Sequence, residues 1–141
     1  MYSNLTSLNE ALLNAARDGN SAKFSNLMQC REMDINTVDP KSGNSPLSVS
    51  TRNGQTAIVK LILSHSNVDV NTWKIKRYGD NILHITAFSG YHDIAELILK
   101  HGQIDVHHVN NYGATPLRAA QSHGHHDIAS LIRHYLENEE L

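Results

Sequence analysis

Ten histidines, one cysteine, 14 acidic and 12 basic residues are the reactive inventory of this chain of 141 residues. Imidazole is a common ligand of zinc and copper, so His107-His108 and His123-Gly124-His125-His126 are the first groups to weigh. Neither run has a cysteine or carboxylate cluster at a spacing that completes a four-ligand site, and no metal is assigned. Cys30 paired with a distant histidine is no sign of a nucleophile, because any chain with ten histidines offers such pairs. The chain holds no nucleophile elbow, phosphate loop, HExxH motif or carboxylate pair at useful spacing. No enzyme activity, catalytic residue or cofactor follows from it. The histidines remain a store of positive charge below neutral pH, which keeps a metal- or pH-responsive regulator as an alternative class of function.

A different chemistry is concentrated in Trp73-Lys74-Ile75-Lys76-Arg77-Tyr78, where aromatic and basic residues gather. Large aromatics with few rotatable bonds bury much area and dominate interface energetics, so Trp73 and Tyr78 read as anchors for a partner; the alternative is that Trp73 folds back onto its own chain. Lys74, Lys76 and Arg77 suit an acidic protein segment or a phosphopeptide, or else form a solvated loop. A formal net charge of -2 gives no broad basic face for nucleic acid or a membrane. The lone Cys30 fits a reducing compartment, and no signal peptide or apolar run of membrane-spanning length is present, so an intracellular location, cytoplasmic or nuclear, is expected.

The elements that must position these residues recur along the chain. Glycines repeat as Gly43, Gly79 and Gly113, at spacings of 36 and 34, and as Gly19, Gly54, Gly90 and Gly124, at spacings of 35, 36 and 34. Asp34-Ile35-Asn36, Asp69-Val70-Asn71 and Asp105-Val106-His107 repeat in step with them. A period of this length means stacked repeats, each burying its apolar face on the next. Within the period, Ser45-Pro46 and Thr115-Pro116 mark helix starts, a hydroxyl capping the helix and proline taking the first position, where no amide hydrogen is needed. Asn81-Ile82 does the same without proline. Ser7 to Glu10 reads as a capping box opening a first helix near Leu8, which stops at Gly19, and a second helix runs from about Ser21 to Cys30 with Phe24, Leu27 and Met28 inward. Later helices are expected over Thr56 to His65, His92 to His101 and His126 to Leu136. Ile58, Ile94 and Ile128, with Leu61, Leu97 and Leu131, form their buried stripe. Glu137 to Leu141 reads as an acidic tail.

Residues 113 to 132, GATPLRAAQSHGHHDIASLI, closely resemble the ankyrin repeat; residues 79 to 99 keep its Leu83-His84 and Gly90, residues 43 to 63 match more loosely, and residues 4 to 36 are the most degenerate. The resemblance implies an all-α solenoid of helix pairs joined by short β-hairpin fingers. It forms a single domain over residues 1–141, with repeats at about 4–36, 37–71, 72–107 and 108–136 and a tail at 137–141. It also implies a non-enzymatic protein-binding module that holds a protein partner on its finger and inner-helix face, by scaffolding or competitive masking, most simply as a monomer. Small free-standing proteins of this kind also resemble effectors delivered by intracellular bacteria, which would place it in a host cytosol.

On that face the resemblance points to Trp73, Lys74, Lys76, Arg77, Tyr78 and Asp80 on the longest finger, Asn111 and Tyr112 on the next, and Arg52, Phe88 and Ser89 on inner helices. Phe88 stands where the family has a small or polar residue, and an exposed phenyl ring needs a partner. His84 is similar to the family histidine that ties the turn, a place held by Ser48 and Arg118 in the neighbouring repeats. Ankyrin repeats are also substrates of an asparaginyl hydroxylase that reads a leucine eight residues and an acidic residue two residues before its target. Leu63, Asp69 and Asn71 fit that pattern, and Leu99, Asp105 and His107 fit it with histidine as the target. Alternatively, Asp69 and Asn71 tie the loop through hydrogen bonds to backbone.

Overall fold

The computed structural model describes residues 5–71 and 77–139, and among these residues all regular structure is helical. The helices are α1 (Leu5–Asp18), α2 (Ser21–Leu27), α3 (Pro46–Arg52), α4 (Thr56–Leu63), α5 (Ile82–Ser89), α6 (His92–His101), α7 (Pro116–Ser122) and α8 (His126–Glu139). Trp73, Lys74 and Lys76 lie outside the described residues. The chain divides into two compact units, Met1–Asp69 and Val70–Leu141. Five of these eight helices are only seven or eight residues long, too short to hold in water alone, so packing of one pair on the next must stabilise them.

In the first unit α1 packs on α3 and α2 on α4. Leu12, Ala16, Phe24, Ile58, Val59 and Ile62 are wholly or almost wholly buried between them. Asn20 caps α2 by accepting from the Lys23 amide at 3.1 Å, and Ser45 and Ser48 form a reciprocal capping box at the start of α3 with Pro46 just inside it. The capping box expected at Ser7 does not open α1. The helix already begins at Leu5, which puts Leu8 inside a turn, where it is buried, and Ser7 within the helix.

In the second unit α5 packs on α7 and α6 on α8, around Ile82, Leu83, Ile94, Ile98, Ile128 and Ile132, each at most 1 % exposed. The stripe is shifted from its expected register. Ile94 and Ile128 are buried as predicted, but Leu97 and Leu131 are only half-buried, and the next residues, Ile98 and Ile132, are completely enclosed. The same holds in the first unit for Leu61 and Ile62. Ile98 and Ile132 lie four places after the buried Ile94 and Ile128, nearer one turn of 3.6 residues than Leu97 and Leu131, which lie three places after them.

The expected β-hairpin fingers are hydrogen-bonded turns among the described residues. One closes through Asp39 N–H to Asn44 carbonyl at 2.9 Å and the other through Asn110 N–H to Ala114 carbonyl at 2.9 Å. Their side chains capture the amides that a strand ladder would use. Asp39 accepts from Lys41 N at 3.1 Å, and the Asn110 amide oxygen accepts from Tyr112 N and Ala114 N at 3.0 and 2.9 Å. The acidic tail is also shorter than expected, since Glu137 to Glu139 continue α8.

Candidate functional site

The surface of the second unit is set by side-chain amides and imidazoles that tie one helix pair to the next. Asn81 caps α5 by accepting from the His84 amide at 3.1 Å, and its own NH2 donates to the Asp105 carbonyl at 2.9 Å. His84, completely buried, bonds the Ala114 carbonyl through Nε2 at 2.8 Å, and its Nδ1 accepts from the Asn81 amide at 3.3 Å. That network assigns the neutral Nε2–H tautomer. Burial pushes the His84 pKa below its ordinary value of 6.5, reinforced by His108 and opposed by the Ala114 carbonyl and the Asp80 carboxylate.

The loops at either side are sewn together. His108 Nε2 meets the Gly79 carbonyl at 2.7 Å, Asn110 donates to Asp80 at 2.8 Å, and Asn111 binds the Tyr78 carbonyl through its backbone amide at 2.8 Å and the Arg77 carbonyl through its side chain at 3.1 Å. Gly79 permits the approach: a Cβ there would stand 2.6 Å from the Asn111 Oδ1. The rings these loops carry come together. Tyr78 and Tyr112 have centroids 6.0 Å apart at 32°, and the Arg77 guanidinium carbon lies 5.3 Å from the Tyr78 centroid. Tyr112 is 74 % exposed. The result is an open aromatic step with a cation on it, standing on loops whose backbone is fixed.

Of the other residues predicted for this surface, Ser89 is exposed at the end of α5, whereas Phe88 is half-buried and meets the His123 ring edge-on at 4.4 Å and 82°. The unpartnered phenyl expected there therefore has a partner. His125 bonds the Phe88 carbonyl at 3.1 Å and lies across Gly90, whose φ of 77° closes α5. Asp80 is a correction: it is 4 % exposed and spent on Asn110, so it belongs to the scaffold under the surface and not to the surface. Arg52 is exposed in the last turn of α3, in the first unit.

Sequence reasoning missed Val109, 54 % exposed beside the Tyr112 loop, and a groove of about 710 Å3 in the first unit lined by α1 residues such as Asn9 and Arg17 and by the loop residues Val38, Asp39 and Lys41. The available signal was an apolar residue inside each loop, Val38 and Val109, outside the helical period. Asp39 in that loop is held below the usual carboxylate range, first by the Ser42 hydroxyl and then by the Lys41 amide.

The residues weighed for modification are part of a regular staple. Asn36 donates to the Asn67 carbonyl at 2.8 Å and accepts from Asp69 N at 2.9 Å; Asn71 repeats this with the Gln103 carbonyl and with Asp105 N, the latter at 2.8 Å. At the third place His107 meets Glu139 at 3.1 Å, so a side-chain contact to the end of α8 replaces the amide staple. The histidines weighed as metal ligands are also engaged: His108 and His125 on backbone carbonyls of the neighbouring pair, His123 on Ala119 and His107 on Glu139. Among the described residues, His92, Asp93 and Glu96 do bring ligand atoms within 4.8 Å of one another, but Glu96 is paired with Lys100 at 3.1 Å and the group sits at the start of α6, where the helix dipole repels a cation.

Short helix pairs locked edge to edge, with exposed side chains presented on their connecting loops, define a repeat protein that works through its surface. Residues 42–73 match the family model for an ankyrin repeat and residues 72–140 the model for ankyrin repeats in three copies. The chain belongs to the ankyrin-repeat family. Ankyrin repeats are generally protein–protein interaction modules and are typically non-enzymatic. No helix among the described residues is long and apolar enough to cross a membrane.

Proposed function

We propose that this protein holds a protein partner on the loop and inner-helix face of its second unit, centred on Arg77, Tyr78, Asn111 and Tyr112 with Ser89 and the edge of Phe88, and acts by scaffolding or competitive masking. The observation that carries this reading is the contrast at Tyr112: a ring 74 % exposed on a loop whose amides are taken up by Asn110 and whose neighbour Asn111 is bound to Tyr78 and Arg77. An exposed aromatic on fixed backbone loses little entropy when a partner covers it, which is what an interface anchor requires. Arg77 beside it favours a partner that brings a carboxylate or phosphate, since guanidinium forms bidentate bonds to either. Lys74 and Lys76 add positive charge to the same stretch of sequence.

The test is capture of partners from a lysate by the wild type and by a Tyr78→Ala/Tyr112→Ala double variant, with circular dichroism to verify that both are folded. Proteins retained by the wild type and lost by the folded double variant support the surface. Identical capture by both would move the binding site elsewhere.

A further inference from the structure

We infer that the partner segment held on the Tyr78 and Tyr112 surface is a proline-rich stretch in the polyproline II conformation, with an acidic residue beside the prolines. This deepens the reading of that surface and rests on it.

The loop's spent backbone decides the mode of recognition. All five amides from Asn110 to Ala114 are bonded inside the unit. Asn110 N donates to the Ala114 carbonyl at 2.9 Å, Asn111 N to the Tyr78 carbonyl at 2.8 Å and Gly113 N to the Asn110 carbonyl at 3.1 Å. Tyr112 N and Ala114 N both donate to the Asn110 side chain, at 3.0 and 2.9 Å. A partner cannot add a strand here, because strand addition needs free main-chain donors. An amphipathic helix is matched no better. Its anchors at i and i+7 lie about 10 Å apart, whereas the two ring centroids stand 6.0 Å apart.

A polyproline II segment meets both conditions. It rises 3.1 Å per residue, so residues two apart lie about 6 Å apart along its axis, the spacing of the two tyrosine rings. Those rings are tilted by 32°, so they are not closed on each other edge to face, and Tyr112 is 74 % exposed. The segment makes no internal hydrogen bonds, so its carbonyls arrive without donors, and its prolines bring no amide hydrogen that the surface would have to accept. The polar groups of the step can supply donors: the Arg77 guanidinium and the two tyrosine hydroxyls. A stiff ligand on a fixed loop loses little entropy when the two meet. Arg77 is exposed, 5.3 Å from the Tyr78 centroid, and offers its charge to a carboxylate next to the prolines.

The test titrates the full chain with the blocked peptide acetyl-Glu-Pro-Pro-Ala-Pro-Pro-Glu-amide, acidic at both ends so that either chain direction brings a carboxylate toward Arg77. Binding is followed by amide NMR spectra. The expected result is saturable shifts at Tyr78, Asn111, Tyr112 and Gly113. A peptide with alanine in place of every proline should bind about tenfold more weakly or worse, and so should one with lysine in place of both glutamates. Tyr112→Ala, verified as folded by circular dichroism, should weaken the proline peptide by about tenfold or more. No saturable binding of the proline peptide, equal binding of either control peptide, or binding that Tyr112→Ala leaves unchanged would overturn the inference. Partner capture that is lost in the Tyr78→Ala/Tyr112→Ala variant, while the peptide fails to bind, would keep the surface and discard the proline-rich partner.

Discussion

Replacing Asn81 should show how much of the second unit rests on one side-chain amide. Asn81 is 1 % exposed and has two jobs: its oxygen caps α5 at the His84 amide, 3.1 Å away, and its NH2 reaches the Asp105 carbonyl at 2.9 Å. Losing a helix cap costs about 1 kcal/mol and losing a neutral hydrogen bond about 1 kcal/mol. In Asn81→Ala the buried His84 amide is also left without its acceptor, which adds about 1 to 2 kcal/mol. The expected total is about 3 to 4 kcal/mol. Asn81→Ser should lose only the reach to Asp105, about 1 kcal/mol, because Ser45 performs the same capping in the first unit. Urea unfolding followed by far-UV circular dichroism measures both. Equal losses for Ala and Ser would show that the cap contributes nothing, and a loss below about 1 kcal/mol for Ala would refute the reasoning that a buried amide must be repartnered.

Other consequences can be checked by the same unfolding measurements. Ile98→Ala should cost about 2 to 5 kcal/mol because the side chain is wholly enclosed, and Leu97→Ala clearly less because half of it already faces water. Gly90→Ala should cost more than about 1 kcal/mol, since φ is 77° and the new Cβ would stand 2.6 Å from the His125 ring; His125→Ala in that background should relieve the clash but not the dihedral strain. The folded state holds His84 below its ordinary value of 6.5, so below that pH the unfolded chain binds the proton more readily. Its contribution is complete above pH 6.5 and is lost as the pH falls toward the folded value; a pH series of urea midpoints should therefore drop in acid more steeply for the wild type than for His84→Gln. Glu139→Gln should change stability by no more than about 1 kcal/mol, because the His107 pair is solvent-exposed.

The period of the glycines and of the Asp–β-branched pairs made the repeat architecture legible, and the caps at Ser45, Asn81 and Thr115 fell where the sequence put them. Those features are local: a cap or a left-handed glycine depends on residues three or four places away. The register of the outer helices was off by one because Leu97 and Ile98 are equally apolar, and only the direction of the neighbouring pair decides which is enclosed. Asp80 was misplaced on the surface for a similar reason, since its partner Asn110 lies 30 residues later and nothing in the local sequence marks the pair. Tyr78 and Tyr112 were both expected at the site, but their contact depends on the amide of Asn111 fastening one loop to the other.

The two kinds of interaction in the second unit divide the work. Isoleucines at equivalent places in α6 and α8 supply non-directional burial, which any apolar residue of similar size would provide. The amide and imidazole bonds are directional, and each crosses from one helix pair to the next: Asn71 to Gln103 and Asp105, Asn81 to Asp105, His84 to Ala114, His108 to Gly79 and His125 to Phe88. Burial therefore decides that the pairs stack, and the polar bonds decide in which register. Because the His108 and His84 bonds end on the loop carbonyls of Gly79 and Ala114, close in sequence to Tyr78 and Tyr112, and the His125 bond ends on the carbonyl of Phe88 in α5, the residues that fix the register also aim these side chains. A variant that weakens one of them should alter recognition before it alters helix content, so binding and circular dichroism measured on the same Asn81→Ser protein should part company, with affinity falling while the helical signal holds.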